Sequence, residues 1–208
     1  MSVKPILFNT EMVRAILDGK KTCTRRIVKG AIPDDAMWGY TMFCVSCRGV
    51  YADEYGEKFF RLPYQQGDIL YVRETWQFLY ELDDNEQPVE ETGKYYYAAT
   101  DITLFNTYVD ENGVKHDYVL WRPSIHMPKE AARIWLKVVD VRVERLQDID
   151  GKGCVKEGIE EEPLKHVGED FVKGMFHDLW DSTIKKSDID RYGWDANPYV
   201  WVIEFERC

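Results

Sequence analysis

The chain has 208 residues, 45% hydrophobic and 14% aromatic, with seven Trp and thirteen Tyr. That composition excludes a disordered chain and allows a sizeable core without disulfides or metals. Net charge is −10, which argues against a protein that grips long nucleic acid through its phosphates.

The charge is unevenly spread. Residues 1–30 carry seven cations (Lys4, Arg14, Lys20, Lys21, Arg25, Arg26, Lys29) against two acids, Glu11 and Asp18. The acid concentrates at 81–91 and 157–162. A small positive spot on an acidic body suits a small polar or anionic ligand better than a duplex. No apolar run nears the roughly 20 residues that cross a bilayer. The N-terminus lacks the charged start, apolar middle and small-residue cleavage site of a signal peptide. A cytoplasmic protein without membrane contact is the expectation.

In chain order, KPILFN (4–9) reads as a strand. TEMVRAILDGKK reads as a helix with Thr10 as N-cap, Val13, Ile16 and Leu17 on one face, and Gly19 as its terminator. Residues 31–66 are aromatic and irregular. Trp38, Tyr40, Phe43, Phe59 and Phe60 are expected to bury there, since aromatics of that density normally do. GDILYVRETW (67–76) is a Gly-Asp turn and a strand, and 81–94 is acidic and turn-like. KYYYAAT and HDYVLWRP read as strands, with a DENG turn at 110–113. ARIWLKVVDVRVERL (132–146) is a long alternating strand. Its Val141 and Val143 stay on the face of Ile134, Leu136 and Val138 only if a bulge near Asp140 shifts the phase. DIDGKGCVKEGI is a turn and short helix. Residues 171–184 form an amphipathic helix with Phe171, Met175 and Leu179 inward, Phe176 being a further candidate. NPYVWVIEFERC is a closing strand. Many short strands with a few helices at the edges make an α+β or small-barrel pattern, in one domain spanning 1–208 with insertions at about 31–66 and 77–120.

Cysteines 23, 44, 47, 154 and 208 are odd in number and scattered, so they read as reduced thiols. Cys44 and Cys47 form a lone CxxC, whereas a structural zinc site needs four ligands, and His116, His126, His166 and His177 lack matching spacing. No metal or cofactor is expected. No glycine-rich phosphate loop and no GxSxG elbow are present.

GKKTCTRR (19–26) carries the chemistry. In an extended segment Thr22, Thr24 and Arg26 point one way and Lys21, Cys23 and Arg25 the other, so a bend after the helix is needed to bring Lys21 and Thr24 together. A threonine hydroxyl becomes a nucleophile when a base takes its proton. A lysine serves as that base if burial or nearby positive charge lowers its pKa, and Arg25 and Arg26 are candidates for that charge. An ordinary basic loop is the alternative. Glu157 in VKEGI has the chemistry of a general acid or base. Arg73 and Glu74 read as a structural ion pair or as a substrate contact. Trp76 and Trp121 are candidate base-stacking rings.

Together and in this order, GKKTCTRR, GDILYVRETW, VKEGI and the closing VIEFERC resemble the ASCH family, in the larger form common in bacteriophages and prophages. The resemblance runs from about residue 4 to 208. It implies a PUA-like β-barrel with flanking helices. The best-defined enzymes of that family are small amidohydrolases of N(4)-acetylcytidine. By resemblance, Lys21 falls on their proton acceptor, Thr24 on their nucleophile and Glu157 on their proton donor. Arg25, Arg26, Arg73, Glu74, Trp76 and Trp121 are then the candidate substrate-binding residues. Arg25 stands where the small enzymes carry an apolar residue, and the chain is about twice their length. The implied function is an amidohydrolase on an acylated nucleoside or base. The alternatives are a non-catalytic binding module for RNA or a modified base, and a ribonuclease. The partners implied are a small nucleoside or single-stranded RNA. Neither Lys21 nor Thr24 is expected to carry much core packing.

Overall fold

The computed structural model describes residues 1–29, 50–52, 59–83, 85, 87–101 and 105–208. Helix and strand are mixed throughout these residues, and no sheet among them closes into a barrel. The chain divides into two compact units. The first takes Met1–Ser2, Gly19–Ile69 and Leu136–Cys208, and the second takes Val3–Asp18 and Leu70–Trp135.

The second unit opens with β1 (Val3–Leu7) and α1 (Thr10–Leu17). The helix cap is Asn9, not Thr10: the Asn9 backbone is extended and its side chain accepts from Met12 N at 2.8 Å. Asn is at least as good a cap as Thr, and its position one residue earlier lets Thr10 join the first turn. Gly19, at φ 73°, terminates the helix as its freedom from a Cβ allows. β2 is Cys23–Ile27, and the short pair β3 (Val50–Ala52) and β4 (Phe59–Arg61) is antiparallel. β5 is Ile69–Arg73. The acidic stretch 81–94 belongs to the end of one hairpin: β6 (Trp76–Leu82) pairs with β7 (Pro88–Tyr97), with a register shift between Leu79 and Glu81 where Glu81 N donates to Thr92 Oγ1 at 2.8 Å. Glu81, Glu90 and Glu91 lie exposed on this two-stranded ribbon, whose polar face suits solvent. A second hairpin joins β8 (Phe105–Val109) to β9 (Lys115–Val119) across the expected 110–113 turn, with Gly113 at φ 76°. Trp76, Met127 and Ala131 form this unit's buried cluster.

In the first unit, β10 (Trp135–Arg145), β11 (Tyr199–Arg207) and β2 pair antiparallel with β11 in the middle. The expected bulge is present between Val138 and Asp140. It keeps Val141 and Val143 in phase with Leu136 and Val138 and turns Arg142 and Glu144 to the opposite face. Helices α2 (Gly151–Lys156), α3 (Glu162–His166), α4 (Glu169–Thr183) and α5 (Ile189–Tyr192) follow. Cys23, Val200 and Val202 of the sheet pack with Cys154 of α2 and with Val172, Phe176 and Trp180 of α4. The buried stripe of α4 is therefore one position beyond the Phe171, Met175, Leu179 stripe expected from sequence, and Phe171 is exposed. Spacing of four places both stripes equally well. The stripe with Phe176 and Trp180 has the larger apolar surface to remove from water, and the Trp180 indole N–H finds the Tyr192 carbonyl at 2.8 Å.

Of the aromatics expected to bury in 31–66, Trp38, Tyr40 and Phe43 lie outside the described residues, as do Cys44 and Cys47. Phe59 and Phe60 are described only as part of β4.

Candidate functional site

The first unit places its charged groups through two backbone anchors. Thr22 N donates to Lys156 O at 2.9 Å and Phe205 N donates to Thr22 O at 2.9 Å, which ties the segment before β2 to the end of α2 and to β11. Asp150 caps α2 by accepting from Gly153 N. Glu157 is the C-cap, and Gly158 at φ 102° ends the helix behind it.

These anchors bring Lys21 and Glu157 together. Lys21 Nζ donates to Glu157 Oε2 at 2.5 Å and to the Glu157 carbonyl at 2.8 Å. The Lys21 side chain is 0% exposed and that of Glu157 5%. Arg25 Nη1 takes the other carboxylate oxygen, Oε1, at 3.1 Å, while Arg25 Nη2 reaches Glu144 Oε2 at 3.2 Å. Arg25 Nε is buried without an acceptor among the described residues. From Glu144 the ion pairs continue through Arg142 to Glu204, and from Glu204 to Lys156, the chain neighbour of Glu157. The result is a chain of alternating charge from Lys21 to Lys156.

The register sorts β2 by face. Cys23, Arg25 and Ile27 stand opposite Glu204, Val202 and Val200, while Thr24 and Arg26 stand opposite Ile203 and Trp201. Thr24 is therefore on the other face from Arg25. It is 2% exposed. Within this unit β2 lies at the sheet edge, beyond β11. Lys21 precedes the strand, so its position is not tied to either face. Burial lowers the Arg26 pKa, opposed by the charges of Tyr64 and Glu157. A cavity of about 320 Å³ opens on the Arg25 face, lined among others by Cys23, Arg25, Arg142, Glu144, Lys156 and Glu204.

Burial, followed by the Glu157 charge, pushes the Cys23 thiol up to about 12, against the lowering effect of Arg25 and Lys21. Burial does the same to Cys154, raising it to about 11. Neither is a thiolate near neutral pH, which removes both as nucleophiles. Among the described residues no group of three or more His, Cys, Asp or Glu is placed to hold a metal ion. None of the described helices is long and apolar enough to cross a membrane.

The remaining candidates lie in the second unit. Glu74 is 1% exposed and held by both ends of the Arg133 fork, at 2.9 Å each, with Tyr97 stacked 3.9 Å beneath the guanidinium. Arg73 Nη1 donates to Ile125 O. Trp76 is 5% exposed with the Arg122 guanidinium over its ring, and Trp121 is half-buried. Sequence reading did not single out Glu144, Arg142, Glu204, Lys156 or Arg133. The first two stand i, i+2 on a strand, which was a usable signal once the bulge set their face. Arg133 carried none. Comparison with family models, curated proteins and solved structures finds no match to this chain.

Proposed function

We propose that the chain is an amidohydrolase of an acylated nucleoside or base, such as N(4)-acetylcytidine, on an ASCH-type, PUA-like scaffold. The observation that carries the reading is the buried Lys21–Glu157 contact at 2.5 Å, three residues before a buried threonine. Amide hydrolysis needs a base for the nucleophile and an acid for the leaving amine, and each transfer is typically worth about 10²–10⁴ in rate. Lys21 and Glu157 are such a base and acid when the shared proton sits on the carboxyl.

In this scheme Lys21 accepts the proton of Thr24 Oγ1 as the oxygen bonds to the acyl carbon. The C–N bond then breaks and Glu157 protonates the departing amine. Water, deprotonated by the resulting carboxylate, attacks the acyl carbon; the C–Oγ1 bond breaks, Lys21 returns its proton to the departing Thr24 oxygen, and the carboxylic acid is freed. Purified protein is expected to convert N(4)-acetylcytidine to cytidine and acetate, followed by chromatography. Thr24→Val and Lys21→Met are expected to lose at least about 10²-fold in kcat/KM, and Glu157→Gln comparably. The Arg25 clamp on Glu157 favours one rival, a module that binds a modified base without cleaving it. If a panel of acylated nucleosides is bound but not hydrolysed, with affinity unchanged in Thr24→Val, the enzyme reading fails and the rival replaces it.

A further inference from the structure

Helix α4 carries more apolar surface than the sheet beneath it covers. Its buried row is Val172, Phe176 and Trp180. The row beside it, Phe171, Met175 and Leu179, is apolar too and repeats at the same spacing of four. Phe171 is 50% exposed, Met175 and Leu179 are half-buried, and Val167, just ahead of the helix, is 63% exposed. The half-buried residues that pack on the buried cluster under α4 are Ile27, Ile159, Leu164, Ile184 and Trp194, and none belongs to this second row. At about 100° per residue the two rows span about 180° of the helix, whereas facing one core takes a stripe of only about 100°.

A third row, Asp170, Gly174 and Asp178, borders the second on its other side, and all three residues are exposed. Neither aspartate forms an ion pair among the described residues. The nearby lysines are already held, Lys165 by Glu161 at 3.0 Å and Lys173 by Glu169 at 3.1 Å. Residues 160–183 hold seven acids against two lysines, a net of −5 and half the charge of the whole chain. Gly174 stands mid-helix, where glycine is a poorer choice than alanine. Its φ is not positive, and a Cβ there would meet nothing within 4 Å, so the fold described does not require the missing side chain. A glycine between two acids, beside an uncovered apolar ridge, leaves a groove that a second helix can enter closely. Charge selects what enters. A second copy of the chain would bring two such acidic stretches together, and an anionic membrane would be repelled. A helix with one apolar ridge and a lysine or arginine ridge beside it meets both rows.

We propose that this face of α4 docks a basic amphipathic helix of another protein, whose apolar side chains cover Phe171, Met175 and Leu179 and whose cations reach Asp170 and Asp178. It does not depend on the hydrolytic reading, and its test reads binding alone. The full chain is titrated into three fluorescein-labelled peptides of about 18 residues, long enough to be helical once bound. One carries leucines at i, i+3, i+4 and i+7 spacing with lysines elsewhere, one the same leucines with glutamates, and one the same lysines with serine in place of leucine. Anisotropy is read at several salt concentrations. Saturable binding of the Leu/Lys peptide alone is expected. Phe171→Ser is expected to weaken it about tenfold or more. Asp170→Asn/Asp178→Asn is expected to weaken it about threefold or more and to flatten its salt dependence. Gly174→Leu fills the groove and is expected to weaken binding at least about tenfold, while the melting temperature holds or rises, since leucine is the better helix former and its Cβ is unobstructed. Glu90→Gln/Glu91→Gln removes as much charge from the exposed β6–β7 hairpin and is expected to leave binding unchanged. Equal binding of the Ser/Lys peptide, or an equal loss in Glu90→Gln/Glu91→Gln, would reveal only general attraction to an acidic chain and overturn the proposal. So would the lack of saturable binding, an unaltered Gly174→Leu variant, or a dimer of the chain alone in sedimentation that Phe171→Ser dissolves.

Discussion

Replacing Glu157 by Gln tests the buried ion pairs directly. The carboxylate is shared by Lys21 at 2.5 Å and Arg25 at 3.1 Å, and all three side chains are at most 5% exposed. In Glu157→Gln, Arg25 keeps Glu144 at 3.2 Å, but Lys21 keeps only neutral acceptors, the backbone carbonyl at 2.8 Å and at best the amide oxygen, and no counter-charge. A buried ammonium without a counter-ion costs about 3–5 kcal/mol. In a chain of this size that lowers the melting midpoint by roughly 6–20 °C, at 2–4 °C per kcal/mol. Lys21→Met retains the buried stem, and Glu157 remains neutralised by Arg25, so the loss is about 1–3 kcal/mol. The double variant is expected to lose less than the sum of the two, with a coupling of about 0.5–3 kcal/mol. Urea midpoints and thermal melts by circular dichroism measure all three. A Glu157→Gln protein melting within about 2 °C of the parent, or strictly additive losses, would refute the argument.

Two smaller expectations follow from the same unit. Cys208 is exposed, whereas Cys23 and Cys154 are buried thiols with raised pKa values, so brief iodoacetamide treatment at neutral pH followed by peptide mapping is expected to alkylate Cys208 and spare the other two until urea is added. Glu204 feels desolvation that raises its pKa, but hydrogen bonds and charges from Arg142 and Lys156 outweigh it and the net shift is downward. A carboxylate lowered by folding stabilises the native state above its unfolded pKa and loses that contribution as pH falls through the folded one. The melting temperature is thus expected to drop on acidification below about pH 4.5, and less steeply in Glu204→Gln; equal slopes would show that the group contributes nothing.

Periodicity made most elements readable. The α1 face of Val13 and Ile16, the Gly19 stop, the Gly67 and Gly113 turns, and the closing strand all follow from spacing and from backbone positions that favour glycine. Where two stripes fit one spacing, as on α4, sequence alone did not decide, because the choice depends on which side chains the sheet can cover. The Lys21 side chain shows a different limit. A lysine in a basic loop carries no sign that it will be fully buried, and its burial depends on Glu157, 136 positions away. The expectation that Lys21 carries little packing is therefore corrected: it is among the largest fully buried side chains of the chain. Glu157 itself was picked out by resemblance and not by composition, for nothing local separates it from the other carboxylates.

The bulge on β10 joins the core to the site. A strand's side chains alternate, so a one-residue slip moves every following side chain to the other face. Val138 stands opposite Phe205 before the irregularity, and Val141 stands opposite Ile203 after it, so the apolar set continues on one face. The same extra residue sends Asp140, Arg142 and Glu144 to the face of Glu204, Val202, Cys23 and Arg25. Without it Arg142 and Glu144 would share the face of Leu136 and Val138, both fully buried, where an unpaired charge is costly. Arg25 would then lose Glu144 and be left to Glu157 alone. The hydrophobic pattern that demands the bulge is thus also what supplies Arg25 with a second carboxylate beside the one it shares with Lys21.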